Sequence, residues 1–198
     1  MFLKKSKNKW ADSFSKLAKE KGYPARSVFK LEEIQKSYRI LKRGDKVLDL
    51  GASPGSWSLF ALKIVGKEGK VVAIDLTDLK IPIFENIEFL KGDIFEDNIF
   101  SNFKEKFDVI LSDLAPKTTG FLDLDKENSF ELSKRAFEIA KKFLKKGGNF
   151  VCKILESENT NELFKEVKNY FNFVKRFRPQ ATRKQSSEIY IIAKDYKF

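Results

Sequence analysis

A glycine-bearing turn between a short apolar strand and an apolar helix constrains the fold of this chain more than any other segment. Residues Asp49–Trp57 read Asp-Leu-Gly-Ala-Ser-Pro-Gly-Ser-Trp, after a predicted strand at Lys46–Leu48 and before a predicted helix at Leu59–Val65. In α/β proteins such a turn presents backbone N–H groups to a nucleotide-like ligand. Gly51 and Gly55 do not match the G-x-G-x-x-G spacing of dinucleotide-binding enzymes, so the turn favours another adenosine-bearing cofactor.

Strands and helices alternate along the rest of the chain. The predicted helices cover residues 26–37, 59–65, 124–144 (ending at Gly147-Gly148) and 161–170, and the predicted strands cover residues 46–48, 70–75, 87–90, 107–112, 149–155, 171–178 and 188–194. This alternation predicts a Rossmann-like, doubly wound α/β fold. Its mostly parallel sheet of about seven strands has helices on both faces and an antiparallel C-terminal edge strand. We expect one domain over residues 1–198, in which a basic, partly helical segment (1–43) precedes the core (44–198).

The composition excludes several kinds of site. The chain has no histidine, which excludes a Ser-His-Asp triad, a histidine-ligated zinc and a histidine general base, and we expect no metal. The lone Cys152 excludes an internal disulfide and fits a reducing cytoplasm. No apolar run approaches the roughly 20 residues of a membrane span. The net charge of +11 fits a nucleic-acid partner and a merely solvated, lysine-rich surface equally well.

Acidic residues lie at or just beyond the carboxyl ends of the first four predicted strands, namely Asp49, Asp75, Asp93 and Asp113. In open α/β sheets the ligand crevice lies outside those ends. Asp75 is close to the ~20-residue offset from the glycine turn that a ribose-binding acid shows, and Asp93 is placed to accept from an adenine amine. A single aspartate at such a position more often caps a turn or a helix, so the four acids together carry the ligand prediction.

Six motifs, in order along the chain, resemble the FtsJ/RlmE family of S-adenosylmethionine-dependent RNA ribose 2′-O-methyltransferases. They are Tyr23–Leu31, Leu48–Trp57, Lys91–Asp93, Ser112–Pro116, Val151–Lys153 and Ser187–Tyr190. Two residues depart from the family pattern. Ser56 stands where a second glycine is usual, and we expect its hydroxyl to cap the helix that begins there. Lys117 stands where asparagine is common, in a loop expected to face RNA.

The resemblance implies a catalytic tetrad and a methyl-donor site. The tetrad is Lys30, Asp113, Lys153 and Glu188, and the methyl donor is S-adenosyl-L-methionine. The implied cofactor-binding residues lie in the glycine turn and at the strand ends: Gly51, Ala52, Pro54, Gly55, Trp57, Asp75, Asp93 and Asp113.

The residue types of the tetrad suit methyl transfer to a ribose hydroxyl, which must lose its proton as it attacks. Lys153 acts either as a neutral base or as a fixed cation that stabilises the developing alkoxide, and the sequence leaves both roles open.

Methylation at cytosine C5 needs a cysteine nucleophile. Cys152 lies among apolar neighbours in a predicted strand and is expected to be a packing residue. Enzymes that methylate base amines carry an Asp/Asn-Pro-Pro-aromatic turn, which residues 113–116 do not match.

Basic residues, some of them interleaved with aromatic ones, predict an RNA-binding surface. The candidates are the cluster Lys4–Lys9, Arg26 beside Lys30, and Lys175, Arg176, Arg178, Arg183 and Lys184 around Phe177.

The family leaves two main substrates open: a uridine of large-subunit rRNA, which the compact length favours, and nucleotides of a tRNA anticodon loop. Two rival functions are a non-catalytic ribosome-assembly factor, disfavoured by the intact tetrad, and a nicotinamide-dependent oxidoreductase, disfavoured by the glycine spacing. We expect a monomer that acts on structured RNA in the cytoplasm, without a membrane partner; an organelle or a nucleolus is the alternative for a eukaryotic source.

Overall fold

A seven-stranded sheet forms the centre of the computed structural model, which describes residues 9–82 and 84–198, with the backbone alone for residues 9–12. The helices are α1 (Lys9–Glu20), α2 (Val28–Tyr38), α3 (Ser56–Val65), α4 (Leu122–Phe143) and α5 (Thr160–Tyr170), with a short 3-10 helix at Asp97–Phe100. The strands are β1 (Lys46–Leu50), β2 (Lys70–Asp75), β3 (Ile87–Lys91), β4 (Phe107–Ser112), β5 (Leu144–Leu155), β6 (Phe171–Phe177) and β7 (Glu188–Tyr196).

The strand order is β3-β2-β1-β4-β5-β7-β6, and β7 runs antiparallel to both of its neighbours. The other neighbouring pairs, from β3 to β5, are parallel. The predicted fold class is therefore confirmed, with one difference in position: the antiparallel strand lies one place inside the edge, and β6 is the edge strand. The reason lies in the side chains. Almost every residue of β7 is buried and needs cover on both faces, whereas β6 carries several exposed residues that suit an edge.

Alternate strand residues pack against helices on the two faces of the sheet. On one face, Leu48 and Ile110 belong to a core that includes Phe137 of α4 and Leu163 of α5. On the other face, the neighbouring residues Val47, Val109 and Val151 belong to a core that includes Leu31 of α2 and Ala61 of α3. This two-sided burial explains why the parallel strands are continuously apolar, as parallel strands with helices on both faces are. Within the described residues, no helix is long and apolar enough to cross a membrane.

The boundary between α4 and β5 differs from the sequence prediction. The helix ends at Phe143 and β5 begins at Leu144, so Gly147-Gly148 lies inside the strand and does not mark the end of the helix. Phe107 of β4 pairs with Leu144 while Val109 pairs with Asn149, so the intervening residues of β5 bulge out of the ladder. A Cβ on Gly148 would lie 2.8 Å from the carbonyl oxygen of Asp108, and glycine is what permits this approach.

Candidate active site

Three of the four predicted acids meet at one cavity beyond the carboxyl ends of the parallel strands. Asp75 ends β2, Asp93 follows β3 and Asp113 follows β4. The cavity measures about 250 Å³, and its walls are formed by Gly51, Ser53, Ile74, Asp75, Leu76, Gly92, Asp93, Ile94, Asp113, Leu114, Ala115 and Leu132. Asp75, Asp93 and Asp113 therefore line the crevice in which a doubly wound sheet is expected to bind its ligand, as the sequence predicted.

Gly51 and Asp75 shape the turn that forms one wall of this cavity. Gly51 has φ +74°, and a Cβ there would lie 3.0 Å from the Cα of Leu114, so glycine allows the turn after β1 to touch the loop after β4. Asp75 fixes the next part of the turn, because its Oδ2 accepts from the backbone N–H of Ser53 at 2.9 Å. Its Oδ1 accepts from the N–H and the hydroxyl of Thr77, both at 2.8 Å.

The fourth acid, Asp49, lies beneath the turn and not on the cavity wall. Its side chain is fully buried, and its Oδ2 accepts from the Ser58 hydroxyl at 2.6 Å. Burial, with the nearby charges of Asp113 and Asp75, raises the pKa of Asp49 to about 7. The expectation that Asp49 joins the other acids at the ligand crevice is therefore wrong, because a carboxyl group enclosed by protein and partly neutral near pH 7 supports the turn from inside.

Four predicted cofactor-binding residues of the turn do not form the wall of this cavity: Ala52, Pro54, Gly55 and Trp57. The Trp57 side chain is only 2% exposed. Its Nε1 donates to the carbonyl oxygen of Ser27 at 2.9 Å, and its ring centroid lies 5.7 Å from that of Tyr190. Trp57 therefore supports the site from behind, between α2 and β7.

Ser56 bonds to the segment before α2. Its Oγ accepts from the N–H of Ala25 at 2.8 Å and donates to the carbonyl oxygen of Ala25 at 3.1 Å. Gly55 is the N-cap of α3, and no side-chain hydrogen bond caps this helix. The expected capping role of Ser56 is wrong, because its hydroxyl ties α3 to the backbone that carries Arg26.

The four predicted tetrad residues come together as two short ion pairs from four separate elements. Nζ of Lys153, in β5, donates to the carbonyl oxygen of Asp113 at 2.7 Å and lies 3.1 Å from Asp113 Oδ1. Nζ of Lys30, in α2, lies 2.6 Å from Oε1 of Glu188, the first residue of β7. All four side chains are largely shielded from solvent, with exposures between 7% and 15%, so salt and water screen these pairs less than they screen surface ion pairs.

Tyr190 connects the two ion pairs. Its hydroxyl oxygen lies 2.8 Å from Asp113 Oδ1 and 3.1 Å from Glu188 Oε1, so its single proton serves one carboxylate at a time. Burial, together with the charges of Asp113 and Glu188, raises the pKa of Tyr190 well above its usual value, which keeps the hydroxyl protonated. Lys30, Glu188, Tyr190, Asp113 and Lys153 thus form one continuous polar chain, which we call the site chain.

Sequence reasoning assigned no role to Tyr190, although it belongs to one of the six motifs. One signal was available: Tyr190 lies two residues after Glu188 in a predicted strand, and residues i and i+2 of a strand share a face. A tyrosine buried in an apolar strand also needs a partner for its hydroxyl.

Replacing Tyr190 by phenylalanine is expected to lower about tenfold the maximal rate of the methyl transfer that the sequence resemblance implies. Phenylalanine keeps the ring packed on Trp57 but removes the hydroxyl that connects the two carboxylates. A hydrogen bond to a charged group contributes ~1.5–3 kcal/mol. The rate at saturating substrates measures the effect. Tyr196→Phe is the control, since the Tyr196 hydroxyl donates to the Lys141 carbonyl, outside the site chain. Equal rates for the two variants would exclude a positioning role for the Tyr190 hydroxyl.

Cys152 is a packing residue, as the sequence indicated. It is fully buried in the core that includes Phe137 and Phe150. Burial raises the pKa of its thiol to about 12, which leaves almost no thiolate at neutral pH. A cysteine-dependent methylation of cytosine C5 is therefore excluded at this residue.

A second cavity, of about 280 Å³, lies at the other end of the site chain. Its walls are formed by Arg26, Ser27, Lys30, Ala181, Arg183, Ser186 and Glu188. Two of the predicted RNA-binding residues, Arg26 and Arg183, therefore meet beside the Lys30–Glu188 pair.

The other predicted RNA-binding residues do not form one surface. Lys175 and Arg176 are consecutive in β6 and point to opposite faces of the sheet. Arg176 donates to Asn161 Oδ1 at 2.7 Å, and its guanidinium lies 4.4 Å from the centroid of the Phe164 ring. Arg178 donates to the carbonyl oxygen of Ser186 at 2.5 Å, within its own loop, and Lys184 is exposed in that loop. Strand alternation therefore separates the members of the predicted 175–184 cluster, and their role in RNA binding stays a prediction. The side chains of the predicted cluster Lys4–Lys9 lie outside the described residues.

Comparison of the sequence with known proteins shows which family the chain belongs to. The model of the FtsJ-like methyltransferase family matches residues 23–196. A protein of Desulfatibacillum aliphaticivorans named ribosomal RNA large subunit methyltransferase E is 47% identical over 191 residues, which are 96% of this chain and 92% of that protein. A protein of the same name from Bdellovibrio bacteriovorus is 42% identical over 91% of this chain and 94% of its own length.

Solved structures agree with this result. The crystal structure of a Plasmodium falciparum protein assigned as a ribosomal RNA methyltransferase has a TM-score of 0.76 and 31% identity, and covers 88% of this chain and 98% of that one. Fibrillarin of Aeropyrum pernix, crystallised with natively bound S-adenosyl-L-methionine, has a TM-score of 0.55 at 18% identity, over 78% of this chain and 68% of that one, and shares the fold. The resemblance found in the sequence motifs is confirmed.

Proposed function

Because the chain belongs to the FtsJ-like methyltransferase family, we propose that it transfers a methyl group from S-adenosylmethionine to a ribose 2′-hydroxyl of large-subunit ribosomal RNA. The observation that carries this proposal is the site chain, which runs from a cavity lined by Asp113 to a second cavity lined by Lys30 and Glu188. Two cavities connected by buried lysines and carboxylates suit a reaction between a methyl donor and an acceptor hydroxyl. We propose a uridine as the acceptor and a monomer as the active form.

We assign the methyl donor to the cavity that holds Asp75, Asp93 and Asp113. Three carboxylates around one cavity suit a positively charged ligand, and the missing Cβ of Gly51 leaves the backbone of the turn accessible to it. Asp75 would hold the ribose hydroxyls and Asp93 the adenine amine, with the backbone of the glycine turn against the remainder. When bound there, S-adenosylmethionine supplies a methyl group that is activated by its positively charged sulfur.

Removing the Asp93 carboxylate is expected to weaken cofactor binding about tenfold. Asp93 lines the cavity, and its Oδ1 accepts from the N–H of Phe95 at 3.0 Å, which orients the side chain. Loss of a hydrogen bond to a charged group costs ~1.5–3 kcal/mol of binding energy. Calorimetric titration of Asp93→Ala with S-adenosylmethionine measures the change. Glu96→Ala, which removes an exposed acid three residues further on, is the control. Unchanged affinity in Asp93→Ala would refute the assignment.

We propose that Lys153 acts as a fixed cation. Its Nζ donates to the backbone carbonyl of Asp113 and lies within ion-pair distance of the Asp113 carboxylate, and both contacts suit an ammonium group. A fixed positive charge in a shielded site stabilises the alkoxide that develops as the 2′-hydroxyl gives up its proton to solvent. The transfer requires the acceptor and Lys153 to be aligned. We assign this alignment to Lys30 and Glu188 at the second cavity and to Tyr190 between the two carboxylates.

Methylation mapping in cells tests the substrate. Ribosomal and transfer RNA from cells with and without the gene are compared for 2′-O-methylated nucleotides. We expect one large-subunit rRNA nucleotide to lose its methyl group, restored by the wild-type gene, with the tRNA profile unchanged. Loss at an anticodon-loop nucleotide would favour the tRNA alternative. Unchanged methylation with defective ribosome assembly would favour a non-catalytic factor. Relatives named for large-subunit rRNA and the complete site chain favour the first outcome.

A further inference from the structure

The second cavity concentrates positive charge beside the Lys30–Glu188 pair. Arg26, Arg183 and Lys30 line it together with a single acid, Glu188, whose Oε1 already lies 2.6 Å from Lys30 Nζ. Three cations against one carboxylate leave a local excess of positive charge in a cavity that is open to solvent on the side of the exposed Arg183. Arginine guanidinium groups bind phosphate through paired N–H donors.

Arg26 and Arg183 come from distant parts of the chain, and specific bonds hold them together. The carboxylate of Glu33, in α2, accepts from the backbone N–H of Gln180 at 2.6 Å and from that of Ala181 at 2.8 Å. Nη2 of Arg26 donates to the carbonyl oxygen of Ala181 at 2.7 Å. The loop that carries Arg183 is thus docked onto the segment that carries Arg26, and the cavity between them is built by tertiary bonds.

The closeness of the two arginines is electrostatically unfavourable in the free protein. Burial and the nearby charge of Arg183 lower the pKa of Arg26, against the opposing effect of Glu188. Two hydrogen bonds to Glu33 and one from Arg26 nevertheless hold the two arginines in this arrangement. A bound anion would remove the repulsion, since each guanidinium then gains an opposite charge.

We propose that Arg26 and Arg183 bind the RNA phosphate next to the ribose that accepts the methyl group. This inference rests on the proposed function, because it places the acceptor at the Lys30 end of the site chain. In RNA the 2′-hydroxyl is on C2′, and the neighbouring carbon, C3′, carries the oxygen to which the 3′-phosphate is bonded. A group that binds this phosphate must therefore lie next to the catalytic lysines. Arg26 and Arg183 satisfy this condition because Lys30 lines the same cavity. The site would select a ribose within a polynucleotide over a free nucleoside.

RNA binding without methyl donor tests the phosphate site. The probe is a large-subunit rRNA transcript of the source organism, and its dissociation constant is measured over a series of KCl concentrations. Arg183→Ala is expected to bind about 10-fold more weakly than wild type, because a charge-assisted bond is lost. The slope of log affinity against log salt should become shallower by ~0.7–0.9, the loss of about one phosphate contact. Lys67→Ala is the control: it removes the same charge from an exposed turn before β2, at the amino ends of the parallel strands.

Two outcomes decide the inference. A weaker affinity and a shallower slope in Arg183→Ala, with Lys67→Ala close to wild type and equal melting temperatures, would support the phosphate site. Affinities and slopes that are the same for the two variants would overturn it. Because no methyl transfer is measured, a protein that binds RNA through Arg183 and methylates nothing would contradict the proposed function alone.

Discussion

Replacing Lys153 by methionine is expected to lower methyl transfer by about 10³-fold, the scale on which a positioned charge or proton-transfer group contributes to catalysis. Methionine fills a similar volume but cannot contribute the buried positive charge that lies 3.1 Å from Asp113 Oδ1. Lys153 is not among the residues that line the cofactor cavity, so the affinity for S-adenosylmethionine should change little. Single-turnover rates and calorimetry separate the two effects.

A second lysine supplies the control for this substitution. Lys194, in β7, also extends from a strand and donates to a backbone carbonyl, that of Tyr38, at 2.9 Å. Lys194→Met should retain nearly the wild-type rate, since it removes a lysine from the same sheet outside the site chain. A Lys153→Met variant with a rate within tenfold of wild type would exclude Lys153 from the reaction.

Gly51→Ala is expected to lower both stability and cofactor affinity. At φ +74° a non-glycine residue is strained by ~1–2 kcal/mol, and the new Cβ would lie 2.9 Å from Leu114 Cδ2 and 3.0 Å from Leu114 Cα, a crowding that costs ~1–3 kcal/mol. For a chain of this size the sum corresponds to a fall in melting temperature of about 4–20 °C. The displaced backbone of Leu114 adjoins Asp113, so the cofactor cavity should lose its shape as well.

Gly44→Ala separates backbone strain from crowding. Gly44 has φ +82°, but a Cβ there would meet nothing within 4 Å, so this variant carries the strain alone. Its melting temperature should fall less than that of Gly51→Ala, and its affinity for S-adenosylmethionine should be unchanged. Equal losses of stability, with normal cofactor affinity in both variants, would show that contact between the glycine turn and Leu114 does not shape the cavity.

The fold was predictable where each apolar run is bounded by clear breaks. The bounds of β2 and β4 agree with the sequence prediction, because each strand is a short apolar run beginning after polar residues and ending at or just before an aspartate. Prediction failed between α4 and β5, because Gly147-Gly148 resembles a helix stop and pairing with β4 decides that Leu144 already belongs to the strand. The place of β7 inside the edge likewise depends on burial of both of its faces.

The candidate site was predictable as a set of residues and not as an arrangement. Ordered motifs identified the lysines and carboxylates of the site chain. Side-chain direction and tertiary contact decided the rest: Asp49 points inward, Tyr190 connects two carboxylates, and Ser56 bonds to Ala25. The contacts of Tyr190 with Asp113 and of Ser56 with Ala25 join elements far apart in the chain. Local patterns do not show which distant residues meet, although the i, i+2 spacing places Tyr190 and Glu188 on one face of the strand.

The most direct test of the site chain as a ribose methyltransferase centre is to identify the nucleoside it methylates. Purified protein is incubated with isotope-labelled S-adenosylmethionine and large ribosomal subunits from cells that lack the gene. The RNA is then digested to nucleosides and analysed by chromatography and mass spectrometry. We predict label in 2′-O-methyluridine with the wild-type protein and no label above background with Lys153→Met. Label on a base, or equal labelling by the two proteins, would contradict the account.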